Sequence, residues 1–156
     1  MSGADARAAA PLMRAVDILA DESAYEAAVQ LTSTNGGITV ILYTSERCKA
    51  CQTMKPRLAR LASGYPADVT FFDITFEHGA NKELFKRVGV QRLPHVQLAA
   101  RGEAVESFLC PLSKFDLIEE KLHALAKSVN PQLLHLKQHE GWLSGRRWRA
   151  WHSRQQ

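Results

Sequence analysis

Apolar and polar positions change period several times along the chain, and each change marks an element. The run ITVILY (38–43) is continuously β-branched or aromatic, the pattern of a strand covered on both faces. VTFFDITF (69–76) reads as a second buried strand. Between them Met54, Leu58, Leu61 and Ala62 recur at helical spacing from about Lys49 to Ser63, and Gly64-Tyr65-Pro66 ends that helix. Upstream, AVDIL (15–19) predicts a short strand. Asp21 or Ser23 then caps SAYEAAVQLTST, in which Tyr25, Ala28, Val29 and Leu31 fall near helical spacing, and Asn35-Gly36-Gly37 breaks the chain. Downstream, NKELFKRVGV (81–90) predicts a short helix stopped at Gly89. HVQLAA (95–100) and AVESFL (104–109), separated by Arg101-Gly102-Glu103, predict a hairpin. Ser113 is the expected cap of KFDLIEEKLHALAK, with Phe115, Ile118, Leu122 and Leu125 on one face and Asn130-Pro131 closing it. The order β-α-β-α-β-α-β-β-α implies an α/β fold, parallel in its first part and antiparallel at the final hairpin: a mixed central β-sheet with helices on both faces.

A chain of 156 residues is one ordinary domain with room for appendages. Hydrophobic content of 46% and charged content of 23% are globular values. No run approaches the roughly 18 apolar residues of a membrane span. Three cysteines are too few for a secreted disulfide scaffold, and AAAPLMRAVDILA (8–20) carries Arg14 and Asp17 where a signal peptide needs an unbroken apolar stretch. A reducing compartment is the expectation. The first fourteen residues, rich in Ala with two Arg, are similar to the end of an organelle-targeting peptide, although Asp5 runs against that reading.

Charge becomes informative once it is placed along the chain. Basic and acidic residues balance over residues 1–129, so the whole net charge of +4 belongs to residues 130–156, which also hold all three tryptophans. The chain therefore divides into an N-terminal extension (1–14), a neutral body (15–129) and a basic, Trp-rich tail (130–156). Leu133, Leu134, Leu136 and Trp142 are candidates to dock back on the body. Trp142, Arg146, Arg147, Trp148, Arg149 and Trp151 supply the mixture that contacts nucleic-acid phosphates and bases, anionic lipid headgroups or an acidic protein surface. A solvated tail is the plainer alternative.

The chemistry concentrates in Cys48-Lys49-Ala50-Cys51, at the junction of the expected central strand and the helix after it. Unpaired amides and the positive end of the helix dipole favour an anion at Cys48, and Arg47 and Lys49 add positive charge. Cys51, nearly one turn further on, is placed to attack a mixed disulfide formed on Cys48 and release the reduced partner. A structural zinc site needs four ligands, yet Cys110 is the only other cysteine and His78 the nearest histidine, so no metal is expected. Two inert core thiols are the remaining alternative. A C-x-x-C pair after a strand, opening a helix, inside a βαβ pattern, points to redox chemistry.

With CKAC, Pro56 and VGVQRLPHVQLAARGE (88–103), roughly residues 14–127 resemble the thioredoxin family. The resemblance implies a thioredoxin-like fold, Pro56 as the proline that kinks the active-site helix, a cis Pro94 facing the cysteines, and Leu93 offering its backbone to an extended substrate segment. AVESFLCPLSKF (104–115) looks more specifically like the atypical Cys/His-rich thioredoxins of plastids. Three departures stand out. The family's tryptophan before the first cysteine is Arg47, the central Gly-Pro is Lys49-Ala50, and the buried aspartate that assists the resolving cysteine falls at Leu42. Slower resolution is expected, together with a more oxidising pair if Lys49 stabilises the thiolate. Cys110 aligns with a groove-lining position and reads either as a third thiol or as a buried one at a strand end. His95 is a groove-wall residue or a substrate contact, and His78, in the polar connection EHGANK, reads as solvated.

These readings converge on a thiol–disulfide oxidoreductase that acts on protein disulfides and is recharged by a reductase. Its redox-active disulfide is the only cofactor expected. The implied location is the chloroplast, in the stroma or at the thylakoid surface, with the cytoplasm as alternative. A reading of a different class makes the chain a thioredoxin-fold interaction subunit of a larger complex at a photosynthetic membrane, docked through its C-terminal tail.

Overall fold

The computed structural model describes residues 16–134. They run β1 (Asp17–Ile18), α1 (Glu22–Asn35), β2 (Ile38–Thr44), α2 (Lys49–Ala62), β3 (Val69–Thr75), α3 (Asn81–Arg87), β4 (His95–Ala100), β5 (Glu103–Leu109) and α4 (Asp116–Val129), with 3-10 turns at Leu112–Lys114 and Pro131–Leu134. The five strands form one sheet in the order β1-β3-β2-β4-β5. β1 and β2 flank β3 in parallel, whereas β4 pairs antiparallel with both β2 and β5. This is the mixed α/β sheet that the hydrophobic pattern predicts, in the thioredoxin-like order that the resemblance implies.

All seven residues of β2 are buried, because helices cover both faces of the sheet. On one face Ile38, Val40 and Leu42 pack with Met54, Leu58 and Leu61 of α2 and Ile118 and Leu122 of α4. On the other, Ile41 and Tyr43 pack with Tyr25 and Val29 of α1 and Leu84 and Phe85 of α3. Each fully buried aliphatic side chain contributes about 1.5–3 kcal/mol. Met54 and Leu58, both fully buried, therefore fix α2 on the sheet and with it the position of the cysteine pair. Leu133 and Leu134 also join the first core, so packing continues at least to Leu134.

Local chemistry explains most element ends. Asp21 rather than Ser23 caps α1, its Oδ1 accepting the Ala24 amide at 2.9 Å. Gly36, at φ 66°, ends that helix in the left-handed conformation. Gly37 then passes so close to the Asp68 carbonyl that a Cβ would collide with it. The β4–β5 hairpin turns on two residues with positive φ, Arg101 and Gly102, and Glu103 already belongs to β5; both central residues of this tight hairpin class need that backbone region.

Two expectations are corrected. Ser113 does not cap α4: it lies inside the 3-10 turn, and α4 starts after Phe115 with no side-chain cap. The turn's own bonds, Lys114 N–H to Pro111 O and Phe115 N–H to Leu112 O, lead the chain into the helix instead. Leu31, placed on the apolar face of α1, is 39% exposed. Thr32 takes the buried position, its hydroxyl donating to Val29 O at 2.7 Å.

Candidate active site

Three residues, Ser45 to Arg47, carry the chain from β2 to Cys48, the N-cap of α2. Cys48 is extended there (φ −93°, ψ 105°), and its sulfur accepts the Cys51 amide at 3.1 Å. The Cys48 amide in turn donates to Ser45 O at 3.1 Å. Cys48 and Cys51 are joined in a disulfide with a Cα–Cα distance of 5.2 Å. Their environments differ: Cys48 is half-buried, whereas Cys51 is fully buried. An incoming sulfur reaches Cys48 and not Cys51, and the helix N-terminus favours an anion at the accessible one. Lys49, the first helical residue, is exposed beside it, and Pro56 lies within the helix.

The β2–α2 loop is held from outside by a residue that the sequence did not single out. The Glu77 carboxylate accepts the Ser45 hydroxyl and the Glu46 amide. Those bonds, the Ser45 hydroxyl first, hold its carboxyl below the ordinary glutamate value. His78, expected to be simply solvated, lies with Nε2 3.2 Å from Glu46 Oε1, so it pairs with the same loop. Arg47, Phe76, Glu77, Val90, Gln91 and Leu93 line a cleft of about 330 Å³ beside the cysteine loop. Arg47 and Leu93, two of the expected substrate contacts, are thereby brought together.

The Leu93–Pro94 peptide is cis. Pro94 O accepts the Cys110 amide at 2.9 Å, which ties the proline segment to the end of β5. Cys110 is fully buried, its sulfur within 3.4 Å of Lys114 O, and burial pushes its thiol up to about 11. That environment suits a packed thiol rather than a nucleophile. His95 Nε2 lies 2.7 Å from Ser107 Oγ, and its ring meets Tyr43 edge-on at 5.8 Å. Burial lowers its pKa below the ordinary histidine value, which favours the neutral ring at pH 7. Trp142, Arg146, Arg147, Trp148, Arg149 and Trp151 lie outside the described residues.

Beneath α2 the structure adds a group that sequence reasoning passed over. Asp73 of β3 is 4% exposed and is the one buried carboxylate among the described residues. Its Oδ1 accepts the Thr44 hydroxyl at 2.6 Å, and its Oδ2 lies 3.0 Å from Lys55 Nζ of α2. Among the described residues no group of three His, Cys, Asp or Glu side chains is arranged to hold a metal ion. No described helix is long and apolar enough to cross a membrane.

Comparison with known proteins gives one consistent picture. Residues 16–123 match the family model described as thioredoxin. The chain is similar to NADPH-dependent thioredoxin reductase 3 of Arabidopsis thaliana, 31% identical over 70 residues, a match that spans 45% of this chain and 13% of that protein's length. Among solved structures, thioredoxin f from spinach chloroplast superposes with a TM-score of 0.61 at 20% identity, covering 74% of this chain and 96% of that one. A thioredoxin from Nicotiana alata gives a TM-score of 0.61 at 21% identity, covering 70% and 90% respectively. At these identities the two structures bear on the fold alone.

Proposed function

Because the chain belongs to the thioredoxin family, we propose that it is a thiol–disulfide oxidoreductase acting on protein disulfides. One observation carries the proposal: an accessible sulfur at a helix N-terminus is disulfide-bonded to a buried sulfur three residues on. In the reduced form the Cys48 thiolate attacks one sulfur of a partner disulfide, and the other partner sulfur leaves as a thiolate and takes up a proton. Cys51 then forms its bond to Cys48 Sγ, the mixed disulfide breaks, and the second partner sulfur departs reduced. The protein is left with the Cys48–Cys51 disulfide, and a dithiol reductase returns two electrons. An extended partner segment would lie in the cleft lined by Arg47 and Leu93, with Pro94 joined to Leu93 by the cis bond.

The finer reading is a plastid thioredoxin of the atypical Cys/His-rich kind. It is supported by the ESFLCPLSKF stretch of β5 and the following turn, and by a chloroplast thioredoxin among the structural neighbours. The test is the redox midpoint, measured by thiol labelling across a graded dithiol buffer. A reversible two-electron transition that vanishes in Cys48→Ser is the expected result. No transition anywhere in the accessible range means that the pair is structural and the proposal fails.

A further inference from the structure

Resolution by Cys51, on which this inference rests, leaves that thiol's proton without a destination. Cys51 is fully buried, and burial raises a thiol's pKa because the thiolate loses its solvation. Cys110, packed in the core on the α2 side of the sheet, is pushed up to about 11 by that cause. Burial of the reduced Cys51 thiol likewise disfavours its thiolate. Attack on Cys48 therefore needs a local proton acceptor.

The sheet register supplies one. Val40, Leu42 and Thr44 of β2 pair with Phe71, Asp73 and Thr75 of β3. Val40, Leu42 and Phe71 all belong to the core beneath α2, so Asp73, two residues on from Phe71, emerges on that same face beside Leu42. Its carboxylate meets Lys55, which stands four residues beyond Cys51 on α2. Side chains four apart on a helix are neighbours, so thiol and ammonium project from one side of the helix. Thr44 holds the other carboxylate oxygen. Cys48 lies at the start of the same helix, and His123 is the buried titratable side chain of α4, which covers the same face. Asp17 of β1 pairs with Phe72 and therefore leaves from the opposite face.

We propose that Lys55 and Asp73 form the relay that takes the proton from Cys51 during resolution. The Cys51 S–H bond breaks and its proton passes to Lys55 Nζ as Lys55 hands one of its own to Asp73. Lys55 remains an ammonium beside the new thiolate, and Asp73 becomes a carboxylic acid. The thiolate's electron pair forms the bond to Cys48, the Cys48–partner bond breaks, and the partner leaves as a thiolate. Asp73 returns its proton to solvent once the disulfide has closed. Leu42 on the central strand carries no charge, so the acceptor is a pair built from the next strand and the redox helix.

The experiment uses the full reduced chain and a fluorescently labelled peptide dimer joined by one disulfide. Capture is read in a Cys51→Ser background, and release is read with Cys51 present, both by stopped flow from pH 6 to 10. Release by the wild type is expected to vary little with pH. In Asp73→Asn and Lys55→Gln it should slow at least tenfold at pH 7, recover as pH rises and hydroxide removes the proton, and converge with wild type near pH 10. Capture should stay within twofold. A deficit of equal size at every pH marks a purely structural lesion and overturns the relay, as does the absence of any deficit. No capture at all in the Cys51→Ser background overturns the oxidoreductase reading and the relay with it.

Discussion

Thr44→Val removes one hydroxyl and almost nothing else. Valine keeps the shape of threonine and suits the strand as well, so β2 packing is preserved. What is lost is the 2.6 Å bond to Asp73 Oδ1. Thr44 is fully buried and Asp73 4% exposed, so water is poorly placed to replace the donor. Hydrogen bonds to charged groups contribute about 1.5–3 kcal/mol, and solvent screening discounts little of that at this depth. With a urea slope of about 1.5 kcal/mol per M, the unfolding midpoint should fall by about 1–2 M. The assay is urea unfolding of the oxidised protein at pH 7, followed by tryptophan-independent far-UV circular dichroism. Thr53→Val is the control: that exposed hydroxyl bonds Lys49 O on the helix surface, and its loss should cost no more than about 0.5 kcal/mol. Equal effects at the two threonines, or a loss below about 0.5 kcal/mol at Thr44, would refute the claim that Asp73 depends on protein donors rather than on water.

Other consequences can be checked separately. The Cys48–Cys51 midpoint should lie above about −270 mV, the value of an ordinary thioredoxin, and Lys49→Glu should lower it by withdrawing positive charge from the thiolate; a wild-type midpoint at or below that value refutes the role given to Lys49. Cys110, with its thiol at about 11, should resist iodoacetamide at pH 8 while reduced Cys48 is consumed, and should react only after denaturation; comparable native rates would contradict its burial. Glu77 has a folded pKa below 4.5, so its hold on the loop is complete above that pH and fades as acid takes the solution through the lowered value. The protection of the Glu46 amide against hydrogen exchange, taken relative to its intrinsic rate at each pH, should fall correspondingly on acidification, and Glu77→Gln should already show reduced protection at pH 6.

Much of the architecture was legible because periodicity reports burial directly. ITVILY can be covered on two faces or not exist as a strand at all, and Met54, Leu58, Leu61 and Ala62 admit one helical face. Leu31 and Ser113 mislead for a related reason. Spacing alone does not tell whether Thr32 will turn inward by bonding its own helix, or whether a 3-10 turn will take over the capping of α4. In the site, adjacent residues carry the readable part, from Cys48 and Cys51 to the Leu93-Pro94 bond. Asp73 was signalled too, as the sole charge inside VTFFDITF, a strand whose other residues belong in a core. Its partners were not legible, since Lys55 reaches it only after α2 is laid across β3. Glu77 likewise acts across 31 residues of sequence on Glu46, a separation that no local pattern encodes.

The central position of β2 has a cost during synthesis. Both strands that border it, β3 and β4, come later in the chain, so ITVILYT leaves the ribosome as an uncharged, β-prone ribbon with two open edges. Segments of that composition associate with copies of themselves when nothing else pairs them. The β4–β5 hairpin is therefore a guard as well as a scaffold: whatever loosens it, from heat to a truncated message, uncovers the most aggregation-prone edge of the molecule before the fold as a whole is lost.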